Sequence, residues 1–288
     1  MGIILSACSQ GLIWAVMALG LYITFRILDF ADMTVDGTIT LGGSVSAVSI
    51  YAGINPFLSL IISVIAGMLA GLTTGILHTK LKIQAILSGI LVMIALYSVN
   101  IRIMGKANIS LLNKNTIFNF IRNLDNTNAV LIFGFITCII LILLLYWFFG
   151  TELGAALRAT GNNSSMASSL GINTDFMKIL GLVISNGLCA FSGALISQNQ
   201  GYSDINTGTG AVVIGLASIV IGEAIFKAKN KNFYLKLISV ALGSIFYRIV
   251  IAFILELGLN PSDLKLITAV IVSVALVMPN FKKSKISQ

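Results

Sequence analysis

Runs of about twenty consecutive apolar residues follow one another along this chain, broken only by short polar turns, and about twenty is what a helix needs to cross the hydrocarbon core of a bilayer. In that core every backbone N–H and C=O must be paired inside the protein, so a chain of this pattern folds as a bundle of helices. Hydropathy and turn residues set nine spans, at 3–24, 36–52, 56–78, 84–104, 128–149, 175–197, 207–226, 234–255 and 263–279. The expected fold class is an all-α integral membrane protein with one transmembrane domain over 1–288. Only 10% of the residues are charged, against roughly 25% in soluble domains, which excludes a sizeable soluble domain. Residues 3–24 are too long and too weakly flanked by positive charge for a signal peptide and are expected to stay as a span.

The net charge of +8 lies mostly in loops and in the tail, which points to membrane orientation rather than to nucleic acid. If the polar segment 151–173 is cytoplasmic, Arg26, Lys80, Lys82, Arg158, Lys178, Lys227, Lys229, Lys231, Lys236, Lys282, Lys283 and Lys285 lie on or toward that side. Arg102, Lys106, Lys114, Arg122, Arg248 and Lys265 fall toward the other. Twelve of the 18 basic residues are then inside, which sets the amino terminus outside and the tail in the cytoplasm.

Cys8, Cys138 and Cys189 stand in apolar runs and read as small hydrophobes. His78, the one histidine, stands at a helix end beside Lys80 and Lys82, and a single imidazole makes no zinc site, so no metal is expected. In GMLAGLTTG, Gly67, Gly71 and Gly75 recur every fourth residue, a stripe that lets another helix approach closely.

The segment TELGAALRATGNNSSMASSLGIN, 151–173, is polar between two apolar runs. Leu153, Ala156 and Leu157 share one side of a first short helix, and Met166, Ala167 and Leu170 one side of a second. Gly161 and Asn162 are expected to break between them, Asn163 to cap the second helix, and Gly171 to take the left-handed position past its end. Glu152 and Arg158 keep the outer side polar. Small side chains with an apolar face suit insertion into a groove of a partner protein.

GAALRATGNNSSMASSLGIN resembles the cytoplasmic coupling loop of permease subunits in ATP-binding-cassette importers of the branched-chain amino acid and ribose type. ILDFADMTVDGTITLGGSVSAV, 27–48, resembles the region of that family where an early span is interrupted, and GTGAVVIGLASIVIGEAIF, 208–226, its Gly-rich segment after the external turn. The sequence departs from the family's pattern after Gly222, where Glu223 and KAKNKN follow. The resemblance implies a permease homodimer in a bacterial plasma membrane, two ATPase subunits docked on the coupling loops, and an extracytoplasmic solute-binding protein. It implies import of an amino acid, the aromatic ones being the narrower expectation. ATP and Mg would be bound by the partner subunits. No phosphate-binding G-x-x-x-x-G-K-[ST] loop is present: Gly105-Lys106 has Asn100 where the first glycine belongs and Ala107 where Ser or Thr belongs. No enzyme activity is expected of this chain.

Asp29, Asp32 and Asp36 are spaced so that a continuous helix would align them, and with Thr38 they form a candidate path or gate. The other reading makes Asp36 a cap for the second span and leaves Asp29 and Asp32 at the interface with Arg26. A proton-coupled secondary transporter using the three carboxylates is the alternative function. Gln198, Asn199, Gln200 and Tyr202 occupy the most polar turn of the second half and are candidates for external docking. Arg248 lies deep in the eighth span, needs a partner, and is either half of an ion pair or part of the path.

Overall fold

In the computed structural model, the described residues are 2–120, 126–226, 232–256, 266, 268–270 and 273. Ten α-helices run through them: α1 (Gly2–Tyr22), α2 (Thr34–Tyr51), α3 (Pro56–Thr79), α4 (Ala85–Met104), α5 (Asn126–Gly150), α6 (Glu152–Asn162), α7 (Ser164–Ser169), α8 (Thr174–Gln200), α9 (Ala211–Phe226) and α10 (Phe233–Glu256). Two short strands, β1 (Asn108–Ser110) and β2 (Tyr202–Asp204), pair antiparallel with Ile109 opposite Ser203. Among the described residues, six helices are long and apolar enough to cross a membrane: α1 with its extension to Ile27, α3, α4, α5, α8 and α10. Eight of the nine expected spans coincide with helices, α2 and α9 being the shorter or more polar two. The ninth, 263–279, falls largely outside the described residues.

The bundle is organised around α8 and α1. From Leu12 to Ile23 every residue of the first span is buried. α8 contacts α1, α2 and α3 along its length, and small residues set the distance. A Cβ on Gly42 of α2 would lie 2.0 Å from the Ala190 carbonyl oxygen, and one on Gly193 of α8 2.0 Å from that of Ile39. The α3 glycine stripe packs on the same helix: a Cβ on Gly71 would lie 2.3 Å from the Leu182 oxygen, and one on Gly67 2.5 Å from that of Asn186. Backbones this close gain dispersion and polar contacts that larger side chains would prevent.

α2 explains its own composition. Fifteen of its 18 residues are buried, so TVDGTITLGGSVSAVSIY faces protein and not lipid. Some of its hydroxyls bond the helix's own backbone, Thr40 Oγ1 donating to the Asp36 carbonyl at 3.2 Å and Ser44 Oγ to that of Thr40 at 2.7 Å, and others reach neighbouring helices, Thr34 Oγ1 lying 2.8 Å from Thr74 Oγ1 of α3. Before it, α1 widens into a π-turn over Ile23–Ile27, and Asp29 takes φ +53. Asp tolerates that left-handed conformation, and the first span ends there.

Gly71→Val is expected to force α3 from α8 at a cost of about 1–3 kcal/mol. The result is a lower midpoint of heat-induced aggregation for the detergent-purified chain. Gly150→Ala, where an added Cβ meets nothing within 4 Å, is expected to leave that midpoint unchanged.

Candidate functional site

The segment 151–173 forms two short helices, as expected. Thr151 caps α6 through Gly154 N–H at 3.4 Å, and Asn163 caps α7 through Met166 N–H at 3.0 Å. The break falls at Asn163, with φ −156 and ψ 99, while Gly161 and Asn162 stay helical. Gly171, at φ +82, closes α7: its N–H reaches the Ser168 carbonyl and that of Ile172 the Ala167 carbonyl, the paired bonds of a Schellman end.

The two faces of this pair differ from the sequence expectation. Leu157 is fully buried in the chain's own core, so it is an anchor and not a surface that a partner could touch. Gly161 also faces inward, where a Cβ would lie 1.8 Å from the Ile27 carbonyl oxygen. Arg158 turns back, donating to the Phe149 carbonyl at 3.0 Å with its guanidinium 5.8 Å from the Phe233 ring centroid. Exposed instead are Leu153 (47%), Met166 (62%) and Leu170 (69%), with Glu152 beside them. Periodicity could not separate these sets, because both are apolar at helical spacing.

The three aspartates do not share a face. Asp29 is exposed on the wall of a polar cavity of about 420 Å³ between the π-turn, α6 and the start of α10. Asp32 is fully buried: Oδ1 accepts from Thr34 N–H at 2.9 Å, the first turn of α2, and Oδ2 from the Asn186 amide at 2.8 Å. Asn186 Oδ1 in turn accepts from Thr38 Oγ1 at 2.7 Å, which ties α2 to α8. Asp36 does not cap its own helix. Its two oxygens accept from Gly210 N–H and Val212 N–H, both at 2.9 Å, and so cap the start of α9. Thr40 Oγ1 accepts from Gly208 N–H at 3.1 Å alongside. A span expected at 207–226 therefore begins as helix only at Ala211, because Gly208 and Gly210 are bound to α2.

Asn186, Gly208 and Thr40 escaped sequence reasoning. Asn186 carries a readable signal, an amide inside an apolar run that must find a partner. The other two are visible only once α2 and the α9 start are side by side. Glu223, seen in the sequence only as a departure from pattern, is ion-paired with Arg26 and joins the end of α9 to the π-turn.

At the end of the bundle away from α6, Gln198 is not an external residue. It is 2% exposed; its amide nitrogen donates to Ser46 and Ser59 hydroxyls at 3.0 and 3.2 Å, and its oxygen accepts from Ile117 N–H at 3.0 Å. Asn199 is half-buried, whereas Gln200 and Tyr202 are exposed. Arg248 has no carboxylate partner among the described residues and lies 4.2 Å from the Trp14 ring centroid.

Residues 3–277 match the family described as branched-chain amino acid transport system, permease component. The chain is 46% identical over 281 residues to a tyrosine transport system permease protein of Clostridioides difficile, covering 98% of this chain and 92% of that one. It is 38% identical over 280 residues to an uncharacterized protein of Rickettsia prowazekii, covering 96% and 97%. A metal-chelate type ABC transporter solved in an inward-facing conformation shares the fold, with a TM-score of 0.52 at 15% identity over 97% of this chain and 85% of that one.

Asp36→Asn sets an amide N–H₂ against one of two backbone N–H donors. Hydrogen bonds to a charged group contribute about 1.5–3 kcal/mol, so exchange at the Gly210 and Val212 amides is expected to quicken about ten- to a hundredfold. Hydrogen exchange with mass readout of the 205–214 peptide measures it.

Proposed function

This chain belongs to the branched-chain amino acid transport permease family, and from that premise we propose that it carries tyrosine or a similar amino acid, driven by ATPase subunits that grip α6 and α7. It is the membrane-embedded permease subunit of an ATP-binding-cassette importer. The substrate rests on the tyrosine permease, of which 92% is matched. Docking on α6 and α7 rests on one observation above others. Leu153, Met166 and Leu170 stay exposed on a helix pair whose other large apolar side chain, Leu157, is sunk in the core.

The partners are two ATPase subunits, which hold ATP and Mg, a second copy of this chain, and an extracytoplasmic solute-binding protein. The membrane is the bacterial plasma membrane, with α6 and α7 in the cytoplasm. The distribution of Lys and Arg supports that orientation.

In this reading the work is mechanical. A pull on α6 reaches the Ile27–Leu28 backbone directly, because Gly161 leaves no side chain between them. That backbone leads through Asp32 into the first turn of α2, and Asp36 of α2 holds the start of α9. Arg26 and Glu223 join the π-turn to the end of the same α9. The displaced elements are broken helices, whose ends serve as substrate sites and hinges in many transporters. A proton relay through Asp29, Asp32 and Asp36 has no support in this geometry, since one is exposed and the other two bond different helices.

The paired substitution Met166→Asp with Leu170→Asp is expected to abolish co-purification of a P-loop ATPase from native membranes while the chain still inserts. Retention of the ATPase would remove α6 and α7 as the docking site. Gly161→Ala is expected to keep the ATPase bound and hydrolysing ATP in proteoliposomes but to lower tyrosine uptake at least tenfold. Coupled uptake by that variant would break the proposed route from α6 to α2.

A further inference from the structure

At the end of the bundle away from α6, α1 and α10 part around a cavity of about 530 Å³. Ser6 and Gln10 of α1 line it opposite Arg248, Ile251, Leu255 and Glu256 of α10. A second, polar cavity of about 220 Å³ shares Ser6 and Gln10 and adds Ser9, Thr127, Asn199 and Gln200. Both are lined by the first turns of α1, and Arg248 lines the larger of the two.

Arg248 is unusual among the basic residues. Its guanidinium carbon sits over the Trp14 ring, its Nε is buried without an acceptor, and neither ion pair found among the described residues includes it. Glu256 lines the same cavity two turns along α10 and does not reach it. A guanidinium keeps its charge in any protein environment, and a cation within a membrane bundle normally faces a partner or a cavity. Here no carboxylate partner stands among the described residues, and the cavity is present.

We propose that Arg248 is the anchor of an oxyanion site, taking the carboxylate or phosphate group of a ligand that enters between α1 and α10. The planar donor fork fits either group through two parallel hydrogen bonds. Ile251, Ala252 and Leu255 offer an apolar wall, and Gln10 and Ser6 polar contacts, so the ligand is amphipathic. Two sources share this chemistry, the phosphate of an anionic phospholipid and the carboxylate of an amino acid. The site needs no ATPase contact and stands or falls separately from docking at α6 and α7.

The full chain, purified in detergent, is titrated with phosphatidylglycerol against phosphatidylcholine by native mass spectrometry, and with L-tyrosine against tyramine by equilibrium dialysis. Wild type and Glu256→Gln are expected to prefer the anionic member of one pair at least tenfold; the pair that shows it identifies the source. Arg248→Gln is expected to lose that preference and Arg248→Lys to keep part of it, since the charge remains and the fork does not. Arg248→Gln removes a cation with no ion-pair partner among the described residues, so its size-exclusion profile is expected to match wild type. No preference in wild type for either pair, or a preference that survives in Arg248→Gln, overturns the site and leaves Arg248 with its Trp14 contact alone.

Discussion

Interrupting a helix inside an apolar bundle leaves N–H and C=O groups without partners, and water is not there to take them. Most of what is distinctive in this structure answers that constraint. The first span ends in a π-turn, α2 starts afresh at Thr34, and α9 starts only at Ala211. Each start is met by an aspartate, Asp32 at α2 and Asp36 at α9. A carboxylate at a helix start gains from the backbone dipole as well as from the hydrogen bonds, which offsets part of the cost of placing a charge at depth. Gln198 does the equivalent work with a neutral amide, taking the Ile117 N–H on one side and two serine hydroxyls on the other.

Using side chains to close helix ends makes those ends depend on one another. The Asp36 carboxylate belongs to α2 but completes α9, so neither helix start can shift without breaking or carrying the other. The same holds between α2 and α8, where Asp32, Asn186 and Thr38 form one hydrogen-bonded chain. Around these joints the glycine contacts of α2, α3 and α8 leave backbones touching, an arrangement that passes displacement on because no flexible side chain lies between. The contiguity is a physical route from α6 to α9, and its coupling strength is a quantity for experiment.

Much of this was legible in the sequence, and for identifiable reasons. Long apolar runs located the spans because length and hydropathy are local properties. Asn163 and Gly171 marked the ends of α7 because caps depend on a few adjacent residues. The Gly67, Gly71 and Gly75 stripe announced a close helix contact, though not that α8 would supply it. What failed was everything decided by a distant partner. Leu157 and Leu153 are four residues apart and alike in chemistry, and only the packed core shows that one is anchored and the other free. Gln198 sits in a turn-rich polar stretch and reads as external, yet α8 continues through it to Gln200 and its amide turns into the bundle. Asp36 looked like the cap of the helix it belongs to, because sequence adjacency cannot show a second helix start alongside.

The contrast between Asp36 and Arg248 bears on what a charge in such a bundle signifies. Transfer scales put either residue at roughly 2.5–3.5 kcal/mol against a helix centre, so both were candidates for function on cost alone. Asp36 is half-buried and accepts two backbone N–H groups, which accounts for its presence structurally. Among the described residues Arg248 is answered by one aromatic face and leaves its Nε unpaired. Cation–π contacts contribute about 0.5–2 kcal/mol, less than the cost they would have to meet. Satisfied charge is evidence of architecture; unsatisfied charge beside a cavity is evidence of something still to bind, and on that criterion the two residues belong to different categories although the sequence presents them alike.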